Sequence, residues 1–284
     1  LGNILKDLGN LKDAEIATRK AIELDPSLSD AYLNLAIILN MLGNLKDAEV
    51  ATRKAIELNP DFADAFWNLS LLQLLQGSYK NGLENYEFRF KKHNPTSING
   101  NTKLKRIEHE KLKQGEKLLV ISEQGLGDTI QYMRYIPYLR SKGLDVSFSA
   151  QEKLHSLIKA SGIDCNPLTP KEGSLVSEGK WIPLLSLPKY LQINPKNPII
   201  SEQYIYSTEV FNNKWKNILS KEKRPIVGIN WQGNPEMEKT YQGRSISLEE
   251  FAILPNNNEI TMLSLQKGFG SEQLDHCSFK NKFV

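Results

Sequence analysis

A glycine-containing loop is the part of this sequence whose residue types and spacing point most directly to chemistry. Residues 117–122 form a short apolar run that predicts a buried strand, and the segment Glu123–Asp128, with the sequence EQGLGD, follows it directly. Glycines let the backbone approach a ligand closely, and the start of a helix presents free amide groups. We therefore predict a ligand-binding loop made by Gln124, Gly125 and Gly127. The spacing is not that of a dinucleotide-binding motif, because a later glycine is missing.

Asp128 ends this loop and precedes an amphipathic helix that we expect from Thr129 to Lys142. On the local pattern alone, its carboxylate is explained as a helix N-cap that accepts hydrogen bonds from the first helical amides. The four histidines and two cysteines of the chain show no metal-ligand spacing, and its serines form no nucleophile elbow. The sequence therefore predicts no metal site.

Length and composition limit the class of protein. The 284 residues are 40% hydrophobic and 24% charged, which is typical of globular domains, and they are enough for at least two such domains. Positive and negative side chains are interleaved in a net charge of +3, so we expect no nucleic-acid partner. Two cysteines are too few for a disulfide framework, and no apolar run reaches the roughly 20 residues that cross a bilayer. We expect a cytoplasmic protein without a membrane span.

An internal repeat dominates the first third of the chain. Residues 8–26 recur almost verbatim at residues 42–60, a shift of 34 residues that is the period of tetratricopeptide repeats, which are pairs of antiparallel helices. Two apolar stripes predict the facing helices of one unit, and they comprise Tyr32, Leu35, Ala36 and Leu39 in the first helix and Ala48, Ala55 and Ile56 in the second. A third unit begins near Ala63, and because Gly82 and Arg89 replace its small alanines we interpret it as a terminal, capping repeat. We assign residues 1–94 to this α-solenoid, and we expect that the chain is a fragment at its start.

The first helices of the repeats predict a binding groove for a protein or peptide. Asn34 and Asn68 are one period apart, and Trp67 is their neighbour on the groove side. An amide side chain offers one acceptor and two donors, so a column of asparagines can bond an extended peptide backbone. This arrangement resembles the asparagine ladder of O-linked N-acetylglucosamine transferases. The alternative is that each asparagine bonds a neighbouring part of the solenoid.

Beyond the repeats the pattern changes to alternating strands and helices. We interpret the polar, lysine-rich residues 95–116 as a linker. After the glycine loop we predict a strand at residues 145–150, a helix at residues 152–160 and a further strand near Ile163. Such alternation implies a parallel sheet with helices on its faces, which we assign to a Rossmann-like half at residues 117–224.

The alternation of strands and helices begins again near residue 225. Residues 225–234 predict a strand that ends in a polar glycine loop, and a helix follows with Ser247 as its cap and Glu250 at the capping-box position. We expect a second strand at residues 259–265 and a terminal helix, poorly held, at residues 273–282. The fold class is therefore α combined with α/β: a solenoid, one Rossmann-like half, and the truncated start of a second half at residues 225–284.

Residues 123–139 as a whole closely resemble the first motif of tetratricopeptide-linked glycosyltransferases related to glycosyltransferase family nine, the heptosyltransferase-like enzymes of GT-B fold. In that family the aspartate after the second loop glycine is assigned as general base toward the acceptor hydroxyl, and it matches Asp128. A carboxylate there can take the proton that a sugar hydroxyl loses as it attacks the anomeric carbon. That role is compatible with N-capping. Residues 180–191 also look like a segment near the acceptor side of this family.

The resemblance extends to the donor-binding half. It implies a set of residues that border the cleft or the nucleotide, namely Asn230, Trp231, Gly233, Asn234, Gln266, Lys267 and Glu272. Arg244 matches a basic residue at the donor diphosphate, where a guanidinium stabilises the charge of the leaving group. For the charged members, an exposed loop charge is the alternative. The donor would be a nucleotide-diphosphate sugar, and no cofactor is implied. Because the family normally continues beyond the equivalent of residue 284 with a phosphate-cradling portion, we expect this fragment itself to be inactive.

Three functions are compatible with these observations. The first is an inverting, metal-independent glycosyltransferase whose repeats recruit a protein or an acceptor, the acceptor being a glycan or a protein. The second is a tetratricopeptide scaffold for protein–protein interaction with a catalytically inactive α/β domain. The third is a nucleotide-binding regulator without transfer activity.

Overall fold

The computed structural model describes residues 1–108, 110–200, 202–235, 245–255 and 259–284. The chain divides into two compact units, Leu1–Ser207 and Thr208–Val284, and each is described by itself. The boundaries of the four segments proposed from the sequence remain predictions.

The first unit opens with six helices that pack as antiparallel pairs. They are α1 (Gly2–Asp7), α2 (Leu11–Leu24), α3 (Ser29–Met41), α4 (Leu45–Leu58), α5 (Ala63–Leu75) and α6 (Tyr79–Tyr86), and a 3-10 turn at Glu87–Phe90 follows. The turn within each pair contains a glycine at an equivalent position, Gly9, Gly43 or Gly77, with φ of 80° or 81°. This left-handed conformation is strained for a residue with a side chain, so the repeated glycine specifies the turn.

Gly82 of the third repeat marks a close approach of two helices. It occupies the position of Ala14 and Ala48 in the earlier repeats, and a Cβ atom built on it would lie 2.8 Å from Leu74 Cγ and 3.1 Å from the Leu74 backbone nitrogen. The departure from alanine therefore reflects tighter packing of α6 on α5.

A parallel four-stranded sheet follows the repeats. Its strands are β1 (Lys105–Arg106), β2 (Lys117–Ile121), β3 (Asp145–Ser149) and β4 (Lys180–Pro183), in the order β1-β4-β2-β3. All three pairings are parallel. The helices of this part are α7 (Leu126–Tyr132), α8 (Tyr135–Ser141), α9 (His155–Ala160), α10 (Pro170–Gly173) and α11 (Leu187–Tyr190), with 3-10 turns at Glu152–Leu154 and Leu184–Ser186. The expected parallel sheet is present.

Two features of this sheet differ from the sequence prediction. The strand predicted near Ile163 is wrong: the Ile163 amide donates to the Ile158 carbonyl and closes the end of α9, while Leu168 makes an isolated parallel bridge to Ser149. Strands β1 and β4 were not predicted. Both are short, and charged or proline residues within them hide the apolar pattern of a strand.

The helix after the glycine loop also differs from its prediction. It begins at Leu126 rather than Thr129, and it is interrupted between Tyr132 and Tyr135. Pro137 explains the interruption, because it lacks the amide that would bond the carbonyl four residues earlier. Asp128 is consequently not the N-cap. It is the third residue of α7, and Gly125 is the N-cap.

The second unit, Thr208–Val284, contains helix α12 (Glu209–Leu219), strands β5 (Ile226–Ile229) and β6 (Thr261–Ser264), which pair in parallel, and helix α13 (Gln273–His276). The predicted capping box is wrong, since Leu248–Ile253 is a 3-10 helix and Glu250 donates its amide to the Ser247 carbonyl without a side-chain cap. The predicted terminal helix is limited to α13 and a 3-10 turn at Lys280–Lys282. Among the helices of the described residues, none has the length and apolarity needed to cross a membrane.

Candidate functional site

The glycine loop lies at the edge of the sheet where the parallel strands end. Because β1, β4, β2 and β3 all run in the same direction, their carboxyl ends share one edge, and the loop leaves β2 there. This edge is where open α/β sheets bind ligands. The last turn of the third repeat packs against it, so the solenoid and the sheet contribute to one surface within the unit Leu1–Ser207.

A buried ion pair joins the repeat to the loop. Arg89 donates from Nε to Glu123 Oε2 at 3.0 Å and from Nη2 to Glu123 Oε1 at 2.7 Å, and both side chains are fully excluded from solvent. The Leu185 amide donates to the same carboxylate at 3.1 Å. Burial lowers the pKa of Arg89, but the hydrogen bonds and charge of Glu123 outweigh burial and hold that pKa above its ordinary value.

The ion pair belongs to a larger polar cluster. Glu87 accepts from Arg89 Nη1 at 2.9 Å and from Arg106 Nη2 at 2.5 Å. The buried hydroxyl of Ser186 donates to Glu87 and accepts from Arg89, both at 2.8 Å. Two guanidinium groups thus face two carboxylates, and the burial of these charges is compensated by their mutual pairing.

Gln124 is held in a conformation that is rare for a residue with a side chain, with φ of 59°. Its side-chain amide donates to the Tyr86 hydroxyl at 3.2 Å, and its carbonyl accepts from Gln151 Nε2 at 3.3 Å. Tyr86 is also 5.0 Å from Trp67, measured between ring centroids. Burial raises the pKa of Tyr86 to about 12. Tyr86 therefore connects the groove side of the repeat to the loop.

Asp128 is partly exposed at the start of α7, and its Oδ2 accepts from the Gly125 amide at 3.0 Å. Its other carboxylate oxygen makes no hydrogen bond to the residues that the structure describes. Apart from the adjoining backbone, no atom of the described residues lies within 4 Å of a Cβ built on Gly127, and the φ of Gly127 is not left-handed. Neither packing nor backbone conformation therefore requires glycine at this position.

The two asparagines of the predicted groove have different environments. The Asn68 side chain is buried and donates to Thr52 Oγ1 at 2.8 Å, so at this position the alternative of an internal bond is realised. The Asn34 side chain is partly exposed and forms no hydrogen bond to the described residues, although Thr18 occupies the position equivalent to Thr52. Trp67 is partly exposed beside Tyr86.

The predicted donor residues in the second unit fall into two groups. Trp231 is 2% exposed within the core of this unit, and its indole donates to the Gly270 carbonyl at 2.9 Å. Gln266 stabilises the loop that follows β5, because its Oε1 accepts hydrogen bonds from the backbone amides of Trp231 and Gln232. Both side chains therefore have internal structural partners.

The remaining members surround this loop. Asn230, Asn234 and Lys267 are exposed, the Gly233 amide donates to Ser245 Oγ at 3.3 Å, and Glu272 accepts from the Gly270 amide at 3.2 Å. Arg244 lies outside the described residues. Over the residues that are described, no group of three His, Cys, Asp or Glu side chains could hold a metal ion.

Sequence reasoning missed the partnership of Arg89 with Glu123. The available signal was a large cationic side chain at a helix position where the first repeats have a small one, which we interpreted as a feature of a capping repeat. Such a replacement indicates a new packing partner, but it does not identify the partner.

Comparisons with known proteins support the repeats. Two family models described as tetratricopeptide repeat match residues 1–28 and 29–62. A search of curated proteins found no match to this chain.

Several solved structures are similar over about a third of the chain. A crystal structure of MamA is 31% identical, covers 32% of this chain and 53% of its own, and has a TM-score of 0.31. The TPR2B domain of yeast Sti1 in its pHsp70 complex is 24% identical over 32% of this chain and 72% of its own, with a TM-score of 0.31. YrrB, titled a TPR protein with an unusual peptide-binding site, is 25% identical over 32% of this chain and 47% of its own, with a TM-score of 0.30.

The chain thus spans about half the length of the MamA and YrrB chains that it matches. None of these matches is to a glycosyltransferase, so that expectation stays a proposal. Residues 1–62 of this chain are tetratricopeptide repeats.

Proposed function

We propose that this chain is a protein-interaction module that holds an extended segment of a partner protein along α3 and α5. The observation that carries this proposal is that the partly exposed amide of Asn34, on the first helix of a tetratricopeptide repeat, forms no hydrogen bond to any described residue. An amide that both donates and accepts can bond the backbone of an extended peptide irrespective of its sequence.

Exposed apolar groups on α5, the first helix of the next repeat, supply the remaining chemistry of the proposed groove. Trp67 is partly exposed one repeat further along, and Leu71 on the next turn of α5 is 40% exposed. Tryptophan is enriched among the residues that dominate binding energy at protein interfaces, and covering an exposed leucine adds hydrophobic stabilisation. The proposed ligand is therefore an extended peptide with apolar side chains, bonded through its backbone at Asn34.

Selection of peptides from a random library against the full chain tests this proposal. Selected peptides would be synthesised and titrated calorimetrically against wild type, Asn34→Ala and Trp67→Ala, with the exposed Lys20→Ala on α2 as the matched control. We expect each groove variant to weaken binding by about tenfold and the control to change it less than twofold. Peptides that bind both groove variants as tightly as wild type would refute the assignment of this surface.

We propose sugar transfer by the glycine loop as a second candidate function. Asp128 favours it, because this carboxylate keeps one oxygen without a described partner and stands beside the open space at Gly127. Gln124, Gly125 and Gly127 would shape the acceptor side, and Asp128 would accept the proton of the acceptor hydroxyl. The reaction would be inverting and independent of metal, with a nucleotide-diphosphate sugar as donor.

The donor side of this second proposal rests on the resemblance. Arg244 would stabilise the diphosphate. Asn230, Gly233 and Asn234 would border the cleft, and Lys267 and Glu272 would lie beside the nucleotide. Trp231 and Gln266 would support the loop from within the unit, as their internal hydrogen bonds favour.

An assay of nucleoside diphosphate release from a panel of nucleotide sugars, on the natural full-length protein, tests the transfer reaction. We expect Asp128→Asn to retain the hydrogen bond to Gly125 and to lower turnover by about 10²- to 10⁴-fold. Equal turnover in the variant would refute the role of Asp128. Absence of turnover, with nucleotide still raising the melting temperature, would instead favour a regulator without transfer activity.

A further inference from the structure

A cavity separate from the glycine loop lies between the third repeat and the edge of the sheet formed by β1 and β4. Its volume is about 620 Å³, which falls within the range of pockets that hold small molecules. Ile107 and Ile182, both nearly fully buried, form part of its apolar lining, and the ring of Phe90 adds an aromatic wall. None of the residues from Gln124 to Asp128 lines it.

The rim of this cavity carries positive charges that are not all paired with carboxylates of the described residues. Two of its carboxylates are paired internally, Glu87 with Arg106 at 2.5 Å and Glu84 with Lys189 at 2.8 Å. Three further lining ammonium groups, those of Lys80, Lys91 and Lys111, have no carboxylate within 4.0 Å among the described residues. The cavity has one more lining carboxylate, that of Glu108, so these three ammonium groups outnumber it.

Arg106 has donor groups that bond no residue in the part of the chain that the structure describes. Its Nη2 group donates to Glu87 and Ser186, but its Nε and Nη1 groups donate to no group in the described part of the chain. The Arg106 side chain is 28% exposed and lines the cavity, and its Cζ atom is 4.5 Å from the centroid of the Phe90 ring. A guanidinium over an aromatic ring, with free donors, is suited to charge-assisted bonding of an anionic group.

We propose that this cavity binds a small organic anion that has an aromatic or aliphatic body. The body would lie on Ile107, Ile182 and Phe90, and the anionic group would bond Arg106 and face the lysines of the rim. The residues that line this site include none of those assigned to the peptide groove or the glycine loop.

Phenyl phosphate is the probe for this site, because it joins an aromatic ring to a dianionic group. It would be titrated into the full chain with ¹³C-labelled isoleucine δ1 methyl groups, followed by NMR. We expect saturable shifts at Ile107 and Ile182, with no saturable change at Ile37 or Ile56 of the repeats. Phenol and inorganic phosphate should each bind more weakly, because each lacks one half of the recognised chemistry.

A pair of charge-matched double variants separates specific binding from general attraction. Lys80→Ser with Lys111→Ser removes two rim charges, while Lys12→Ser with Lys46→Ser removes two exposed charges at the starts of α2 and α4. We expect the rim variant to weaken phenyl phosphate binding about three- to tenfold and the control to change it less than twofold. The proposal is overturned if the methyl groups of Ile107 and Ile182 do not respond, if phenol or inorganic phosphate binds as tightly, or if the two double variants behave alike.

Discussion

The guanidinium of Arg89 and the carboxylate of Glu123 form a two-point ion pair in which neither side chain is exposed to solvent. Arg89 ends the third repeat, and Glu123 immediately follows the central strand β2. Desolvation of two charges is costly, and the cost is offset only while both partners are present. The pair therefore connects the third repeat to the carboxyl edge of the sheet, next to the glycine loop.

Removal of one partner should be strongly destabilising. We expect Arg89→Met to lower the free energy of unfolding by about 3–5 kcal/mol, because Glu123 is left buried and unpaired. Urea denaturation followed by circular dichroism measures this change. Arg53→Met, which breaks an exposed pair with Glu49, is the control and should cost less than about 0.5 kcal/mol.

The double variant Arg89→Met with Glu123→Leu tests the mechanism of this destabilisation. With both charges removed we expect a smaller loss than in Arg89→Met alone, since no charge stays buried without a partner. The single variant Glu123→Leu completes the comparison. A stability loss in the double variant equal to the sum of the losses in Arg89→Met and Glu123→Leu would contradict a coupled pair.

Alanine substitutions at Asn34 and Asn68 should have different effects, one on peptide binding and the other on the stability of the protein. Asn68→Ala removes a buried hydrogen bond to Thr52 and should cost about 1 kcal/mol of stability. Asn34→Ala should change stability by less than about 0.5 kcal/mol while it weakens peptide binding. Thermal unfolding and calorimetric titration measure the two effects, and a large loss of stability in Asn34→Ala would contradict its unpaired state.

Two glycines should respond in opposite directions to alanine. Gly82→Ala forces a Cβ to within 2.8 Å of Leu74 and should cost about 1–3 kcal/mol, because Leu74 and its backbone must shift. Gly127→Ala meets no atom within 4 Å and should stabilise α7 by about 0.5–1 kcal/mol. Urea denaturation compares the variants. If the loop binds a ligand, Gly127→Ala should also lower the affinity for that ligand. If the loop binds none, the variant should only gain stability.

Ionisation of Tyr86 should lower the stability of the folded protein at alkaline pH. Burial raises its pKa to about 12 in the folded protein, against about 10 for an unfolded tyrosine. Below pH 10 the hydroxyl is protonated in both states and contributes no pH dependence. Between about pH 10 and 12 the unfolded state loses this proton first, so stability falls as pH rises.

Tyr86→Phe isolates this contribution from those of the other tyrosines. Denaturant unfolding at intervals from pH 8 to 11 should give a shallower decline for the variant than for wild type. Equal slopes would show that Tyr86 ionises with an ordinary pKa.

Regular elements of this protein could be predicted where local spacing encodes them. The 34-residue period specified the helix pairs, and the apolar runs of β2 and β3 specified two strands of the sheet. The loop after β2 was likewise located by its position between a strand and a helix. Prediction failed at β1 and β4, whose two and four residues acquire strand geometry by pairing with neighbours rather than from their own pattern.

The sequence by itself determined the repeats, the parallel sheet and the candidate loop, because each depends on side-chain spacing within a few turns or residues. The tertiary structure decided which side chains meet. It buried Arg89 against Glu123 and bonded Asn68 to Thr52, while the amide of Asn34 bonds no described residue. It also placed Asp128 inside a helix rather than at its cap. The spacing of charged and amide residues along a sequence does not identify the distant residues with which they pair. Their partners emerge when packing removes water and each polar group must be paired within the fold.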